Sequence, residues 1–523
     1  MVFFVVFISA VFCGHLGKVE LDSVILAASV INITGISLGT GMCFACDTLM
    51  SQTFGSKNMK RVGSILQRGI LILMLCCFPC WAVFINTEQL LLLCRQNPSV
   101  ARLTQKYVMI FLPGLPAVFL QQLQSNYLQN QGIIWPQFFT GVAVNAINII
   151  VNAIFMYVFR LGVEGSAWAN TISQWALALL LFLYIIGKKL HVETWGGWSM
   201  DCLQEWGLFL RLAIPSMLMI CTELWSLEIG VFLAGLINVV ELGGQAVSME
   251  LVILTLLLPN GFATAVNVRI GHALGSGDVE QAKKSCKVVY ICTAFGCLLV
   301  VTTLLALRNV MGYVFTNDKN VVTLVSQIMV VLAPFHLCDS INVTSGGVLR
   351  GTGRQKIGAI TNTIGYYCLG FPVAVSLMFI AKLGTIGLWA GLLCPVFLQN
   401  FIYVPYIVCM NWNKACEEAR VRAGVKNPHP EMSQAAISKA SCTIKDLGDT
   451  TLSASHLKGA VVEPDIAFGE EGTKQMETRD DLPVNTTNVV GEILSTKQLI
   501  LKCSQTNGKT GTKKDCFILK EEL

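Results

Sequence analysis

The sequence contains little charge. Lys, Arg, Asp and Glu together make up 13% of the 523 residues, whereas soluble globular proteins average about 25%. A formal net charge of +5 over this length is too dilute to indicate a nucleic-acid partner. Because 54% of the residues are hydrophobic, the composition excludes an ordinary soluble domain and indicates a membrane protein.

The sequence also lacks the motifs of a nucleotide-driven or metal-dependent enzyme. The nearest approach to a phosphate-binding loop is GTGRQK at residues 351–356, which does not match the P-loop spacing. The six His form no zinc-protease pattern, and the twenty Cys show neither metal-ligand nor disulfide spacing. We therefore expect no enzyme, no metal and no cofactor, and we interpret most Cys as small buried apolar residues.

Long apolar segments, in contrast, are abundant. They lie near residues 1–14, 23–46, 69–86, 107–130, 136–158, 166–187, 207–236, 242–266, 287–307, 323–349, 357–381 and 385–409. All but the first approach the roughly 20 residues that a helix needs to cross a bilayer. The predicted fold is an all-α, polytopic membrane protein.

The two halves of the chain repeat each other with an offset near 220 residues. Matching pairs include Gly55 with Gly275, Pro113 with Pro334, Leu128 with Leu349, and Gly132 with Gly353. Each half holds six spans, so the copies should point the same way, related by a pseudo-two-fold axis along the membrane normal. We predict a first lobe at 1–190, a cytosolic linker at 191–205, a second lobe at 206–410 and a largely disordered tail at 411–523.

The repeat and the loop charges lead to two further expectations. Met1 corresponds to about Thr222, halfway along the seventh span, so we expect a truncated first helix. A shortened isoform without transport activity of its own is therefore kept as an alternative. Lys and Arg are more numerous in the loops on the side of the tail, which predicts that this side and the tail are cytosolic.

Acidic residues lie inside the apolar segments of the second half. They are Glu223 and Glu228 in the seventh span, Glu250 in the eighth, and Asp339 in the tenth, near His336. A carboxylate at the bilayer centre costs about 2.5–3.5 kcal/mol on insertion scales, so such residues usually handle cations or protons. Helix–helix hydrogen bonding is the structural alternative for each acid, but the group favours a functional cavity.

Other polar and aromatic residues are candidates to line that cavity. Trp225, Tyr366 and Tyr367 could present cation–π faces, or could serve only in packing. Asn145, Asn148 and Asn152 recur at helical spacing. They either line the cavity or join helices by hydrogen bonds, and the sequence does not decide between the two.

Several stretches resemble signatures of the multidrug and toxin extrusion (MATE) family, over about residues 1–425. The residues that carry the resemblance include Asp47, Gln52, Gly55, Arg68, Arg269, Gly275 and Arg350. The resemblance is nearest to the mammalian kidney and liver branch, with the runs GHLGK at 14–18 and LQRG at 66–69.

The resemblance implies two six-helix lobes and the export of organic cations in exchange for protons. Substrates of tetraethylammonium, metformin and cimetidine type, an apical plasma membrane, and a proton gradient as the energy source are implied with it. The matching proton- and cation-binding positions are Glu223, Glu228, Glu250 and Asp339. Asp339 stands where members of the branch carry Glu, so its reach is one methylene shorter.

Two other transport activities rank lower. A lipid-linked flippase would need a cationic cavity, and the spans hold few internal Arg or Lys. A sodium-coupled exchanger would use the same carboxylates, so the sequence discriminates poorly against it. In every case the expected partners are small molecules, ions and the lipid bilayer, and a monomer should suffice.

Overall fold

The computed structural model describes residues 8–9, 12–13, 17–94, 96–316 and 318–425, and the regular structure within these ranges is helical. Ten of its helices are long and apolar enough to cross a membrane. They are α1 (Val19–Gly55), α2 (Met59–Ile85), α5 (Trp135–Val158), α6 (Val163–Gly187), α7 (Trp206–Gly235), α8 (Val239–Ser276), α9 (Val279–Leu307), α10 (Lys319–Thr352), α11 (Gln355–Ile380) and α12 (Gly384–Cys409).

An eleventh span consists of two helices, α3 (Pro98–Phe111) and α4 (Gly114–Asn130), which meet at an angle of 53°. The bend falls at Pro113, a residue that has no amide hydrogen to continue the helical hydrogen bonds. These eleven spans confirm eleven of the twelve predicted segments. The predicted half-helix at 1–14 lies mostly outside the described residues and stays a prediction.

The buried apolar side chains separate into the two halves of the chain. One large cluster draws on α1 to α6 and on the first turns of α7. Three further clusters draw on residues from Leu227 onwards, in α7 to α12 and the segment that follows. Each half therefore packs around its own core, as the predicted two-lobe architecture requires.

The lobes meet where the ends of α1 and α8 cross. A Cβ atom on Gly275 would lie 2.9 Å from the carbonyl carbon of Gln52, and a Cβ atom on Gly55 would lie 2.6 Å from the Cα of His272. Gly55 and Gly275, and likewise Gln52 and His272, are separated by the repeat offset. The contact is therefore symmetric about the pseudo-two-fold axis. We call residues 47–55 of α1 with residues 267–275 of α8 the inter-lobe crossing.

The segment between the lobes is anchored to α2. Glu205 accepts a hydrogen bond from Arg61 at 2.7 Å, and Arg68 lies 3.3 Å from the same carboxylate oxygen. Arg68 also donates to the carbonyl of Asp201 at 3.1 Å. Burial opposes ionisation of Glu205, but the hydrogen bond and charge of Arg61, together with Arg68, lower the pKa of its carboxyl. The tether is therefore charged at neutral pH and would weaken only in acid.

The tail at 411–523, predicted to be largely disordered, begins with a helix. Residues Trp412–Arg422 form α13, which buries Trp412, Cys416 and Ala419. These residues follow one another at helical spacing, so they form one apolar face that packs against α8 and its neighbours. Residues 426–523, which hold the rest of the predicted disordered tail, lie outside the described residues.

Arg422 fixes the end of α13, and its removal should destabilise the protein. Its guanidinium donates to the carbonyl of Thr352 at 3.2 Å and to that of Glu418 at 3.0 Å. Burial lowers the pKa of Arg422 to about 10, so the side chain remains charged at physiological pH. Arg422→Ala would leave a buried carbonyl unpaired, at a cost of about 1–3 kcal/mol. The measurement is the unfolding midpoint in detergent, with Arg308→Ala as an exposed control; equal midpoints would contradict the assignment.

Candidate functional site

The second lobe brings two of the predicted carboxylates together. Glu223 lies on α7 and is half-buried, and Asp339 lies on α10 and is buried. The charges of the two carboxyls interact across the gap between these helices. They are distant in sequence, and the fold of the second lobe brings them within electrostatic range of each other.

A polar frame from α11 and α12 surrounds this carboxylate pair. The hydroxyl of Tyr366 lies near Gln399 of α12, and the charges of Glu223 and Asp339 both act on it. Tyr366 belongs to the π-helical turn Ile364–Gly370, directly before Phe371 and Pro372. Such widened turns are frequent at functional sites. Tyr366 therefore stays a candidate to line a cavity beside the acids.

The same frame holds α7 one turn before Glu223. Asn362 donates to the carbonyl of Met219 at 3.0 Å. Tyr403 donates to the side-chain oxygen of Asn362, and its hydroxyl lies 3.2 Å from the carbonyl oxygen of Gly358. These bonds connect α7, α11 and α12, so the position of Glu223 is fixed by side chains that were not predicted as site residues.

The burial of Arg350 is the main feature of the site that the sequence did not predict. Its place near the end of a span made it one of the loop charges, but its side chain is buried in α10, with 7% of the residue exposed. Its guanidinium carbon lies 4.0 Å from the centre of the Phe44 ring. Its charge interacts with Asp47 in the first lobe and with Glu223 in the second. Hydropathy cannot distinguish a buried guanidinium from one that reaches water.

Asp47 is the buried acid of the first lobe and lies at the inter-lobe crossing. One of its oxygens accepts a hydrogen bond from Asn130 at 2.7 Å, and the other accepts one from Asn267 of the second lobe. Asp47 and Asn267 are separated by 220 residues, so they occupy equivalent positions in the two repeats. This acid therefore joins the lobes across the pseudo-two-fold axis.

Glu228 and Trp225 face the first lobe instead of the carboxylate pair. Glu228 lies near Ser29 of α1, and the indole nitrogen of Trp225 donates to the carbonyl of Ile33 at 3.0 Å. Positions 223 and 228 are about 140° apart around a helix of 3.6 residues per turn. Helical geometry therefore keeps the two acids from facing one point, in agreement with this arrangement.

Three other predicted residues lie apart from the pair. Glu250 is exposed on α8. His336 is buried, with its Nε2 atom 3.4 Å from the hydroxyl of Ser340 one turn further along α10. Tyr367 stacks on Phe371 with ring centres 5.6 Å apart. These contacts place none of the three side chains in the polar frame around Glu223 and Asp339.

The asparagines of α5 make hydrogen bonds both to α6 and along their own helix. Asn148 is buried and donates to the hydroxyl of Ser173 on α6 at 3.0 Å. Asn152 donates to the side chain of Asn148 at 3.0 Å, and Asn145 donates to the carbonyl of Gly141 at 2.7 Å. Of the two interpretations left open by the sequence, the bond to Ser173 favours helix–helix joining for Asn148, whereas the bonds of Asn152 lie within α5.

The other signature residues serve the contacts between segments. Gln52, Gly55 and Gly275 lie in the inter-lobe crossing, Arg68 anchors the linker, and Arg269 is exposed beside the crossing. Among the described residues, no group of three or more His, Cys, Asp or Glu could hold a metal ion.

Two pseudo-symmetric lobes of membrane helices, with a carboxylate pair beside their junction, define a secondary transporter. The family model MatE matches residues 1–154 and 215–376. The chain belongs to the MatE family, the multidrug and toxin extrusion proteins.

Curated relatives and a solved structure agree with this assignment. Multidrug and toxin extrusion protein 2 of Mus musculus is 55% identical over 96% of this chain and 85% of its own length. Multidrug and toxin extrusion protein 1 of Homo sapiens is 50% identical over 96% of this chain and 87% of its own. The crystal structure of the eukaryotic MATE transporter AtDTX14 is 29% identical, with a TM-score of 0.78 over 81% of this chain and 95% of that chain.

Proposed function

We propose that this protein exports small organic cations, of tetraethylammonium, metformin and cimetidine type, in exchange for protons. The observation that carries the proposal is the carboxylate pair of Glu223 and Asp339 beside the aromatic ring of Tyr366. A carboxylate withdrawn from water favours its protonated form, so it can hold a proton at neutral pH. A cation that reaches the pair replaces the proton, and the two therefore compete for one negative site.

The charge balance around the pair favours a cationic substrate. The charges of Asp47 and Glu223 act on one guanidinium, that of Arg350, and Asp339 adds a third carboxyl beside Glu223. The pyrophosphate of a lipid-linked substrate would be repelled by this excess of negative charge. The ring of Tyr366 supplies the face on which an alkylammonium group is attracted.

Exchange requires that the pair face one side of the membrane at a time. In this proposal the two lobes rock about their junction, and the proton gradient supplies the energy without a cofactor. We place the protein in the plasma membrane, on its apical side, with the inter-lobe crossing and the tail towards the cytosol. One chain contains both lobes, so a monomer is sufficient.

The proposal is tested by uptake of radiolabelled tetraethylammonium into cells that express the full chain. Alkaline medium imposes an outward proton gradient, and exchange predicts faster uptake than in acidic medium. Replacing external Na⁺ by an impermeant organic ion that is not a substrate should leave this uptake unchanged. Uptake that ignores pH but follows Na⁺ would instead establish the sodium-coupled exchanger.

Asp339 offers a test of substrate preference. Asp339→Glu keeps the charge and extends the carboxylate by one methylene, so we expect uptake to persist with an altered ratio between small and large cations. Asp339→Asn removes the charge and should reduce uptake of every cation. The measurement is the initial uptake rate for tetraethylammonium and cimetidine, normalised to surface protein. Equal ratios in Asp339→Glu and the parent would exclude a direct role in preference.

A further inference from the structure

The helix α13 lies across both lobes, on the side of the inter-lobe crossing. It contacts α8, α9 and α10 of the second lobe and α1 of the first. The chain reaches α13 directly from the end of α12, through Met410 and Asn411, so the helix is covalently attached to the second lobe. Separation of the lobes at the crossing therefore has to break the contacts of α13 with one lobe or with the other.

Several contacts hold α13 to the second lobe. Glu418 pairs with Arg354, which directly follows the end of α10, and their nearest oxygen and nitrogen atoms are 3.0 Å apart. The thiol of Cys416 lies 3.4 Å from the carbonyl oxygen of Leu274, near the end of α8. The guanidinium of Arg422 adds its hydrogen bond to the end of α10. Because these contacts lie at several points along α13, the helix should move with the second lobe.

The contact of α13 with the first lobe is smaller and lies at the loop between α1 and α2. The side-chain amide of Asn58 donates to the carbonyl of Ala423 at 3.2 Å. Carbonyls at the end of a helix lack partners within the helix, so Asn58 supplies one to a buried residue. The next residue, Gly424, has a φ of 77°, and a Cβ atom on it would lie 3.1 Å from the Nη1 atom of Arg61. One hydrogen bond and one close backbone approach thus join the end of α13 to the first lobe.

The repeat shows that the bond of Asn58 to α13 differs from the role of its counterpart. Asp278 is the equivalent residue of the second lobe, 220 positions along the chain, and its carboxylate caps α9 by accepting from the amide of Gln281 at 2.9 Å. The backbone angles of the two residues are similar, with φ −86° and ψ 70° at Asn58 against φ −91° and ψ 87° at Asp278. Among the described residues, however, the side chain of Asn58 accepts no capping bond from α2. Two loops of similar shape therefore serve different purposes, and the side chain of the first is directed to α13.

We propose that α13 is a strap that resists separation of the lobes at the inter-lobe crossing. Its larger contact with the second lobe keeps α13 on α8 and α10 when the lobes separate, and the hydrogen bond between Asn58 and Ala423 is the contact that breaks. Release of this bond then precedes opening on the side of the tail. The inference rests on the rocking of the lobes in the proposed function, but it does not depend on which cation or ion is exchanged.

Hydrogen exchange of the full chain in lipid nanodiscs, without substrate, tests the strap with the variant Asn58→Asp. This variant introduces the residue of the second repeat, whose carboxylate can cap α2 but cannot donate to the carbonyl of Ala423. Amides of residues 44–56 report opening of the crossing, and amides of residues 414–422 report the attachment of α13. Loss of one hydrogen bond changes an equilibrium constant by about twofold to tenfold. Exchange at 44–56 should therefore become faster by about threefold or more, while exchange at 414–422 stays unchanged.

Asn86→Asp is the matched control. Asn86 is exposed at the other end of α2, and its amide donates to the carbonyl of Ala82 in the same helix at 2.8 Å. Exchange at 44–56 in this variant should equal that of the parent. Asn58→Ser removes the amide and keeps a hydroxyl that can cap α2, so it should also give faster exchange, and it provides the same comparison if Asn58→Asp does not fold.

The outcomes separate the strap from the proposed function. Faster exchange at 44–56 with unchanged exchange at 414–422, in the variants of Asn58 alone, supports the strap. Exchange at 44–56 that equals the parent's, or that rises equally in Asn86→Asp, overturns it. Faster exchange at 414–422 also overturns it, because the second lobe would then not retain α13. Failure of the parent to transport tetraethylammonium, with the supporting pattern intact, would refute the proposed substrate class and not the strap.

Discussion

Glu223→Gln is expected to abolish pH-driven uptake of tetraethylammonium while leaving the amount of protein at the cell surface unchanged. The substitution keeps the size of the side chain and removes the charge that proton and cation share. The charge of Glu223 interacts with Asp339, Tyr366 and Arg350, whereas Glu228 on the same helix lies near Ser29 of the first lobe and is not placed to replace it. Loss of an interaction worth about 1.4 kcal/mol already gives a tenfold change, and we expect at least that reduction in uptake.

The matched control is Glu280→Gln. Glu280 lies in the first turn of α9 with its side chain 85% exposed, paired only with Lys283 three residues along the helix. An exposed pair of this kind contributes little to stability, so uptake should equal that of the parent. Normal uptake by Glu223→Gln, or an equal loss in both variants, would show that transport does not depend on the carboxylate pair.

Gly275→Ala is expected to cause the second large loss, through backbone contact instead of charge. The added Cβ atom would lie 2.9 Å from the carbonyl carbon of Gln52 and 3.0 Å from the amide nitrogen of Ser56. Neither backbone atom can move without shifting α1. Overpacking of this kind costs about 1–3 kcal/mol, and here the strain falls on the contact between the lobes. Uptake should fall several-fold.

Gly261 provides the control because it lies on the same helix, and a Cβ atom added there would have no neighbouring atom within 4 Å. Gly261→Ala should stabilise α8 slightly, by about 0.5–1 kcal/mol, because alanine favours the helix. Gly55→Ala should reproduce the loss, since its Cβ atom would lie 2.6 Å from the Cα of His272. Equal uptake by the variants at 261 and 275 would contradict the proposed tight contact of α8 with α1 at the inter-lobe crossing.

The sequence was sufficient to predict the membrane spans and the repeat. Bilayer thickness fixes the length of an apolar segment, and that constraint located eleven of the spans described here. The repeat offset also relates residues that meet at the inter-lobe crossing, because it pairs Asp47 with Asn267 and Gly55 with Gly275. Two residues at equivalent positions of the two repeats are therefore candidates to contact each other at the pseudo-two-fold axis.

The arrangement of the site was not predictable from the same information. Four acids had equal standing in the sequence, but the fold of the second lobe couples Glu223 with Asp339 and leaves Glu228 near Ser29 of the first lobe. Helical geometry separates Glu223 from Glu228, yet it does not identify the partner of either. Tertiary packing determines which residue each acid faces. The spacing of residues along one helix does not show which residues of a neighbouring helix they meet.

Arg350 and α13 were misjudged for different reasons. Arg350 lies close to the end of a span, where an arginine ordinarily reaches water, and only the neighbouring Asp47 and Phe44 explain its burial. For α13 the signal was present, because Trp412, Cys416 and Ala419 follow helical spacing. The polar composition of residues 411–523 as a whole concealed this short amphipathic segment.

The central claim is most directly tested with purified protein in sodium-free proteoliposomes that are acidic inside by about two pH units, worth about 2.7 kcal/mol per proton. For one-to-one exchange, this gradient can drive accumulation of tetraethylammonium up to about 100-fold. We predict accumulation above the external concentration that collapses when a proton ionophore is added and is absent in Glu223→Gln. Accumulation that needs Na⁺, or equilibration that ignores the pH gradient, would contradict proton-coupled export.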